Sequence, residues 1–182
     1  MNKLTLAMTA AAALATSACA MYGDGMEDTP AAVSVNVVET IVDSPNHTTL
    51  ESLVTTAGLV DTLSGAGPFT VFAPTDAAFQ KVPAATRTAL TQPGNREMLR
   101  GILTYHVVPG RLTAADIATR IENAGGTAVL TTVQGTRLTA TVEGDYVKLT
   151  DAVGGTAYVE TADILNSNGV IHSINSVLMP RN

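Results

Sequence analysis

The chain holds a single cysteine, Cys19, in 182 residues. No intramolecular disulfide can staple it, so its stability must come from a packed core. It also lacks any cluster of basic residues: 10 Lys and Arg stand against 16 Asp and Glu, a formal charge of −6. The electrostatic footprint of a nucleic-acid-binding surface is therefore missing, and so is the basic stripe that would hold a protein on an anionic membrane. The apolar stretch Leu4 to Ala15 falls short of the roughly 20 apolar residues that a membrane-spanning helix needs. Motifs of reactive chemistry are absent as well. There is no G-x-S-x-G, no H-E-x-x-H, no pair of cysteines, no glycine-rich phosphate loop and no acidic calcium loop. With no catalytic constellation legible, neither a cofactor nor an enzymatic activity is expected.

What is present begins with Lys3 ahead of that apolar stretch and the small residues Ser17, Ala18 and Ala20 behind it. This is the layout of an export signal over residues 1–20. Cys19 stands where a bacterial lipoprotein signal carries its lipidated cysteine, although Thr16 occupies the position usually held by Leu. Lipidation of Cys19 and ordinary cleavage after Ala20 both remain open. Residues 21–35, with the polar stretch Tyr22 to Thr29 (YGDGMEDT), read as a flexible acidic linker. The expected location is outside the cytoplasm: periplasmic, secreted, or anchored at the envelope by a lipid on Cys19 as the only membrane contact. Residues 36–182 then form one domain of roughly 150 residues, large enough to bury a core.

Within that domain Asn36 can cap a helix carrying Val37, Val38, Ile41 and Val42 at one-face spacing. Thr48 with Glu51 predicts a capping box for a second helix, which Gly58 ends as a left-handed residue. Leu59 to Leu63 adds a turn, and Phe69 to Phe72 reads as a short strand leading to a helix over Ala77 to Phe79. Pro83 to Leu90 and Pro93 to Leu103 follow as helices, then a strand at Tyr105 to Val108, and a helix opened by the pair Thr113 and Asp116. Beyond Gly125 the period changes from 3.6 to 2. Strands are expected at Ala128 to Thr132, Arg137 to Val142, Tyr146 to Thr150 and Ala157 to Thr161, separated by glycine-containing turns, with a last strand from Val170 to Leu178. Helices first and strands later make an α+β domain.

His106 and His172 each lie in an apolar strand pattern and could converge with Asp76. One reading is a metal or acid–base site; the other is a pair of core histidines kept neutral by burial. Two scattered histidines supply too few ligands for tetrahedral zinc and lack i, i+4 spacing, which favours the second.

Three segments, Gly67 to Phe79 (GPFTVFAPTDAAF), Tyr105 to Gly110 (YHVVPG) and Asn168 to Pro180 (NGVIHSINSVLMP), resemble in order and spacing the signature boxes of the fasciclin-like domain. The resemblance runs from about Asn36 to Pro180. It implies a wedge of two β-sheets with helices packed along one edge. Phe72, Pro74, Thr75, Asp76, Phe79, His106, Gly169 and His172 would then be chiefly a folding signature, with Pro74 to Asp76 forming the strand-to-helix turn. The family also implies adhesion or interaction at surfaces, with a protein or glycan of the cell surface or matrix as partner. Its Tyr-His motif and its Asp-Ile pair correspond to Tyr105, His106, Asp163 and Ile164 here, Asp163 being expected in an exposed polar loop. An alternative expectation is a small-ligand pocket between sheet and helices, lined by residues such as Met98 and Leu99.

Overall fold

The computed structural model describes residues 34–181; the expectations for the signal, Cys19 and nearly all of the linker lie outside them. The chain runs α1 (Val37–Val42), α2 (Thr48–Ala57), α3 (Val60–Leu63), β1 (Phe69–Pro74), α4 (Asp76–Lys81) and α5 (Ala84–Thr91). A 3-10 turn at Pro93–Asn95 leads into α6 (Arg96–Tyr105), β2 (Val107–Pro109) and α7 (Ala114–Asn123). Four strands follow with short turns, β3 (Ala128–Thr131), β4 (Arg137–Glu143), β5 (Tyr146–Thr150) and β6 (Thr156–Asn166), before β7 (Gly169–Ile174).

Seven strands hydrogen-bond in the order β2-β1-β7-β6-β5-β4-β3. β1 and β7 are parallel; the other neighbours are antiparallel. The two sheets of the wedge share β6, whose first residues pair with β5 while Val159 onward pairs with β7. Register shifts between Val159 and Thr161 and between Thr161 and Ile164 bend the shared strand, as bulges do. The far ends nearly meet, where the Val133 amide donates to the Val107 carbonyl at 2.7 Å.

Two cores result. One lies under α1, α2, α3 and α6 and takes Val71, Ala73 and Ile171 from the sheet. The other lies between the strands and α7 and takes Phe72, Ile174, Leu138, Leu149 and the tail residue Leu178. β1 and β7 stand between them, one face to each, which is why nearly every residue in both is buried.

The local stops and starts have identifiable causes. Asn36 with Glu39 and Thr113 with Asp116 form reciprocal capping boxes on α1 and α7. Gly58 adopts φ 68° at the end of α2, the left-handed conformation that glycine takes without a Cβ penalty. Gly169 answers to space instead. A Cβ there would run into the Phe69 carbonyl of the neighbouring strand, so only glycine lets β1 and β7 begin their parallel ladder at this register.

Four expectations are corrected. Thr48 does not cap α2 in a box with Glu51: the N-cap is His47, without a side-chain cap bond, and the Asp76 carboxylate from α4 accepts from the amides of Thr48 and Thr49 at 3.3 and 2.8 Å. Tyr105 and His106 are not in a strand, because α6 continues through Tyr105 and His106 closes it, its amide bonded to the Ile102 carbonyl at 3.3 Å. The last strand ends at Ile174, since Leu178 turns inward to fill the second core and its amide is taken by a histidine. Asp163 is not in a loop; β6 extends past it, and it sits in the bulged stretch at φ 58°.

Candidate functional site

The polar and aromatic side chains of the domain sort into three hydrogen-bonded knots and one open face. Tyr105 and His106 make the first knot at the end of α6, both buried. The Tyr105 hydroxyl donates to the Arg137 carbonyl and accepts from the Ala152 amide, each at 3.1 Å, and burial pushes its pKa up. His106 holds a defined tautomer, because Nδ1–H donates to the Ile102 carbonyl at 2.8 Å and bare Nε2 accepts from the Leu178 amide at 3.0 Å. Burial is the largest influence on this ring, and its pKa is pushed down to about 4. Asp151 completes the knot by accepting from the amides of Val153, Gly155 and Met179. Together these side chains fasten the C-terminal tail to α6 and to the turn between β5 and β6.

The second knot is built on His172. Its Nε2–H donates to the Leu112 carbonyl at 2.8 Å, Nδ1 accepts from the Asp163 amide at 3.3 Å, and its ring stacks on Phe72 at 5.6 Å. Desolvation lowers its pKa as well. Asp163 is exposed, but one carboxylate oxygen accepts from the Ala114 amide at 2.7 Å and so holds the first turn of α7. Ile164 is half-buried against the helical core.

The third knot centres on His47, which the sequence reading passed over. It is buried, with Ser44 Oγ at 2.7 Å from Nδ1 and Ser173 Oγ at 3.1 Å from Nε2, and burial lowers its pKa against the pull of Asp76. Asp76 does not meet His106 or His172. It is spent on Thr48 and Thr49, and although desolvation pushes its pKa up, hydrogen bonds from Thr49 and Thr48 bring it below the usual carboxylate value. Thr75, the residue before it, caps its own helix by accepting from the Ala78 amide at 3.3 Å. Pro74 and Phe79 are buried on either side of that turn. Among the described residues no three His, Cys, Asp or Glu side chains gather as a metal site, and no buried polar side-chain atom lacks a partner. The knots are saturated, and their chemistry is to join segments distant in sequence.

The open surface lies elsewhere. A groove of about 440 Å³ runs along the outside of β5 and β6, lined by Tyr146, Tyr158, Glu160 and Asn175. A second hollow of about 280 Å³, lined by Asn46, Thr75, Asp76, Ala77 and again Glu160, continues it. Lys148 bridges the rim, paired with Glu143 at 2.8 Å and standing 6.0 Å from the Tyr158 ring centroid. The sequence signal was there in the period of two: Tyr146 and Lys148, then Tyr158 and Glu160, fall on one face of their strands. The expected apolar pocket at Met98 and Leu99 does not form, because Met98 is 45% exposed while Leu99 is wholly in the core. An apolar hollow of about 300 Å³ opens instead between α1, α2 and α3, lined chiefly by Val38, Ile41, Val42, Val54 and Val60. Among the described residues no helix is long and apolar enough to cross a membrane.

Comparison with known proteins agrees with this architecture. The Fasciclin domain family matches residues 45–180. Protein sll1483 of Synechocystis sp. is 42% identical over 147 residues, 81% of this chain and 74% of that protein. The cell surface glycolipoprotein MPB83 of Mycobacterium bovis is 34% identical over 171 residues, 89% of this chain and 70% of its own. The solved FAS1 domain pair of the insect cell adhesion molecule Fasciclin I shares the fold, with a TM-score of 0.72 at 19% identity over 80% of this chain and 51% of that one. The present chain thus spans about half of that solved chain. With its family model covering residues 45–180 and relatives 42% and 34% identical over most of their length, this chain belongs to the fasciclin-domain family.

Proposed function

We propose that the chain is an extracytoplasmic, non-catalytic recognition module that binds a protein or glycan at the cell surface. The observation that supports this most is membership of a family whose matched relatives include a cell surface glycolipoprotein and a cell adhesion molecule. In this reading residues 1–20 export the protein. A lipid on Cys19 would tether it at the cell envelope. Of the four residues marked by the resemblance, Asp163 is exposed and Ile164 half-buried, whereas Tyr105 and His106 are reached only after the core opens. The test is a deletion strain together with the immobilised chain. Loss of attachment or aggregation, and retention of a cell-surface component on the column, are expected; unchanged attachment with nothing retained refutes the reading. Labelling with a fatty-acid analogue separates the anchored form from one that begins at Met21.

A second reading rests on the apolar hollow between α1, α2 and α3, whose size suits a small apolar ligand. Fatty acids and sterols should then raise the melting temperature, and Val54→Gln should abolish the rise. Absence of any stabilisation eliminates this reading.

A further inference from the structure

We infer that the outer face of β5 and β6 is a binding platform for a neutral oligosaccharide. The inference rests on the recognition role proposed above and names the class of partner for one surface. Strand register puts the parts together. Lys148 pairs with Tyr158 across the ladder, and Tyr146 pairs with Glu143, so both tyrosines and the ion pair share the face opposite the buried Leu149 and Ala157. Tyr146 is 57% exposed, a large aromatic side chain that leaves more than half of its surface to solvent. An aromatic plane offers apolar contact to the C–H face of a sugar ring, while hydroxyls around that ring need donors and acceptors at its edge.

Both are supplied. Asn175 is clamped to Tyr158 by a reciprocal pair of bonds: its Oδ1 accepts from the Tyr158 amide at 3.0 Å and its own amide donates to the Tyr158 carbonyl at 3.1 Å. Lys81 Nζ holds the Asn175 carbonyl at 2.8 Å. With its oxygen spent, the Asn175 side chain presents its NH2 as a donor fixed in position, and preorganisation of this kind lowers the cost of binding. Glu160 lines both hollows and serves as the acceptor between them, which favours an extended chain of sugars over a single unit.

The charge selects the class. Glu160, Asp76 and a molecule of formal charge −6 oppose uronic or sulfated sugars. A cation seeking the Tyr158 ring face would have to displace Lys148, which already stands 6.0 Å from its centroid.

The experiment titrates the purified chain with neutral tetrasaccharides of glucose, mannose, galactose and N-acetylglucosamine and with a tetrasaccharide of uronic acid, following amide chemical shifts. Saturable binding of at least one neutral probe, with shifts on β5 and β6, is expected. Tyr146→Ala and Glu160→Gln should each weaken it about tenfold or more while the melting temperature stays unchanged. Binding by none of the neutral probes, tighter binding of the uronic probe, or full affinity in Tyr146→Ala overturns the inference. A chain that binds no sugar yet captures a surface protein overturns this site and leaves the recognition role standing. A chain that binds sugar through Tyr146, in a strain whose attachment does not depend on the protein, does the reverse.

Discussion

In β1 and β7 nearly every residue is buried, whereas β3 and the first part of β4 bury every second one and leave the alternate side chains in or near solvent. The difference comes from what covers each half of the sheet. Helices pack on one side of β1 and β7 and the second core on the other, so these strands read as near-continuous apolar runs. The β3–β5 hairpins have a core on one side only. The segments that resemble the family signature lie largely in the doubly covered half, where Phe72 pairs with His172 and Phe69 with Gly169. The aromatic rings free for a partner, Tyr146 and Tyr158, stand on β5 and β6, which carry no signature segment, and only the edge of their face, at Asn175, Thr75 and Asp76, is drawn from one. In this molecule the recognisable residues build the frame, and recognition is assigned to a surface the frame leaves open.

The contrast should break first at its centre. Phe72 is fully buried and stacked on His172, and Phe72→Ala should cost about 3–5 kcal/mol in urea unfolding. Gly169→Ala should be comparably harmful, because the new Cβ meets the backbone of β1 with no flexible side chain to yield. If either variant loses less than about 1 kcal/mol, typical of an ordinary substitution, the doubly covered strands are not the frame described here.

Acid should act through the same half. His106 drops from its ordinary 6.5 to about 4 on folding. Above pH 6.5 the ring is neutral in both states and its contribution is fully present. As pH falls from 6.5 towards 4 the unfolded chain binds a proton that the folded chain refuses, so stability declines, by about 3 kcal/mol from this residue alone. Depressed values at His47 and His172 steepen the loss with the same sign. The urea midpoint should therefore fall between about pH 7 and about pH 4.5, and His106→Gln should flatten the slope. An unchanged slope in that variant removes His106 from the account.

A smaller effect concerns the junction of α2 with α4. Asp76→Ala leaves the first amides of α2 without their carboxylate acceptor and should cost about 1–2 kcal/mol, the range for a lost helix cap. Asp76→Asn retains an acceptor and should recover part of it. Because the folded pKa is lowered, this contribution is present above the ordinary carboxylate pKa and disappears as pH falls through the depressed one.

How far the sequence carried the argument follows from the range of each interaction. The caps at Asn36 and Thr113, the glycine stop at Gly58 and the hairpin turns were legible because both partners lie within a few residues of one another. The helical cap formed by Asp76 was not, since the amides it serves are 27 and 28 residues away and Thr48–Glu51 offered a plausible local substitute. Tyr105 and His106 read as strand because Val107 and Val108 follow them. Their helical state depends on bonds back to α6 and on the distant Arg137, Ala152 and Leu178. The length of β6 was hidden because Asp163, close to the polar turn Asn166 to Gly169, reads as loop, whereas His172 and α7 hold it in a bulge at positive φ. The groove was half-visible: each strand showed its period of two, but only the β5–β6 register sets Tyr146 beside Tyr158.

The smallest expected effect tests the open half. Lys148 and Glu143 form an ion pair that is partly to largely exposed, with side chains 29% and 55% accessible. Each holds the other charged: the Glu143 pKa is lowered and that of Lys148 raised, first by their mutual hydrogen bond and then by their charges. In water such pairs gain little over their solvated charges. Lys148→Ala should therefore leave the melting temperature unchanged within experimental error at low and at physiological salt, even though Leu149, the next residue, is entirely buried. The same substitution uncovers the Tyr158 ring, so it should leave saccharide binding intact or strengthen it. A clear drop in melting temperature would mean that the outer face of β5 helps hold the sheet together, and the division between a structural half and an open half would have to be redrawn at this strand.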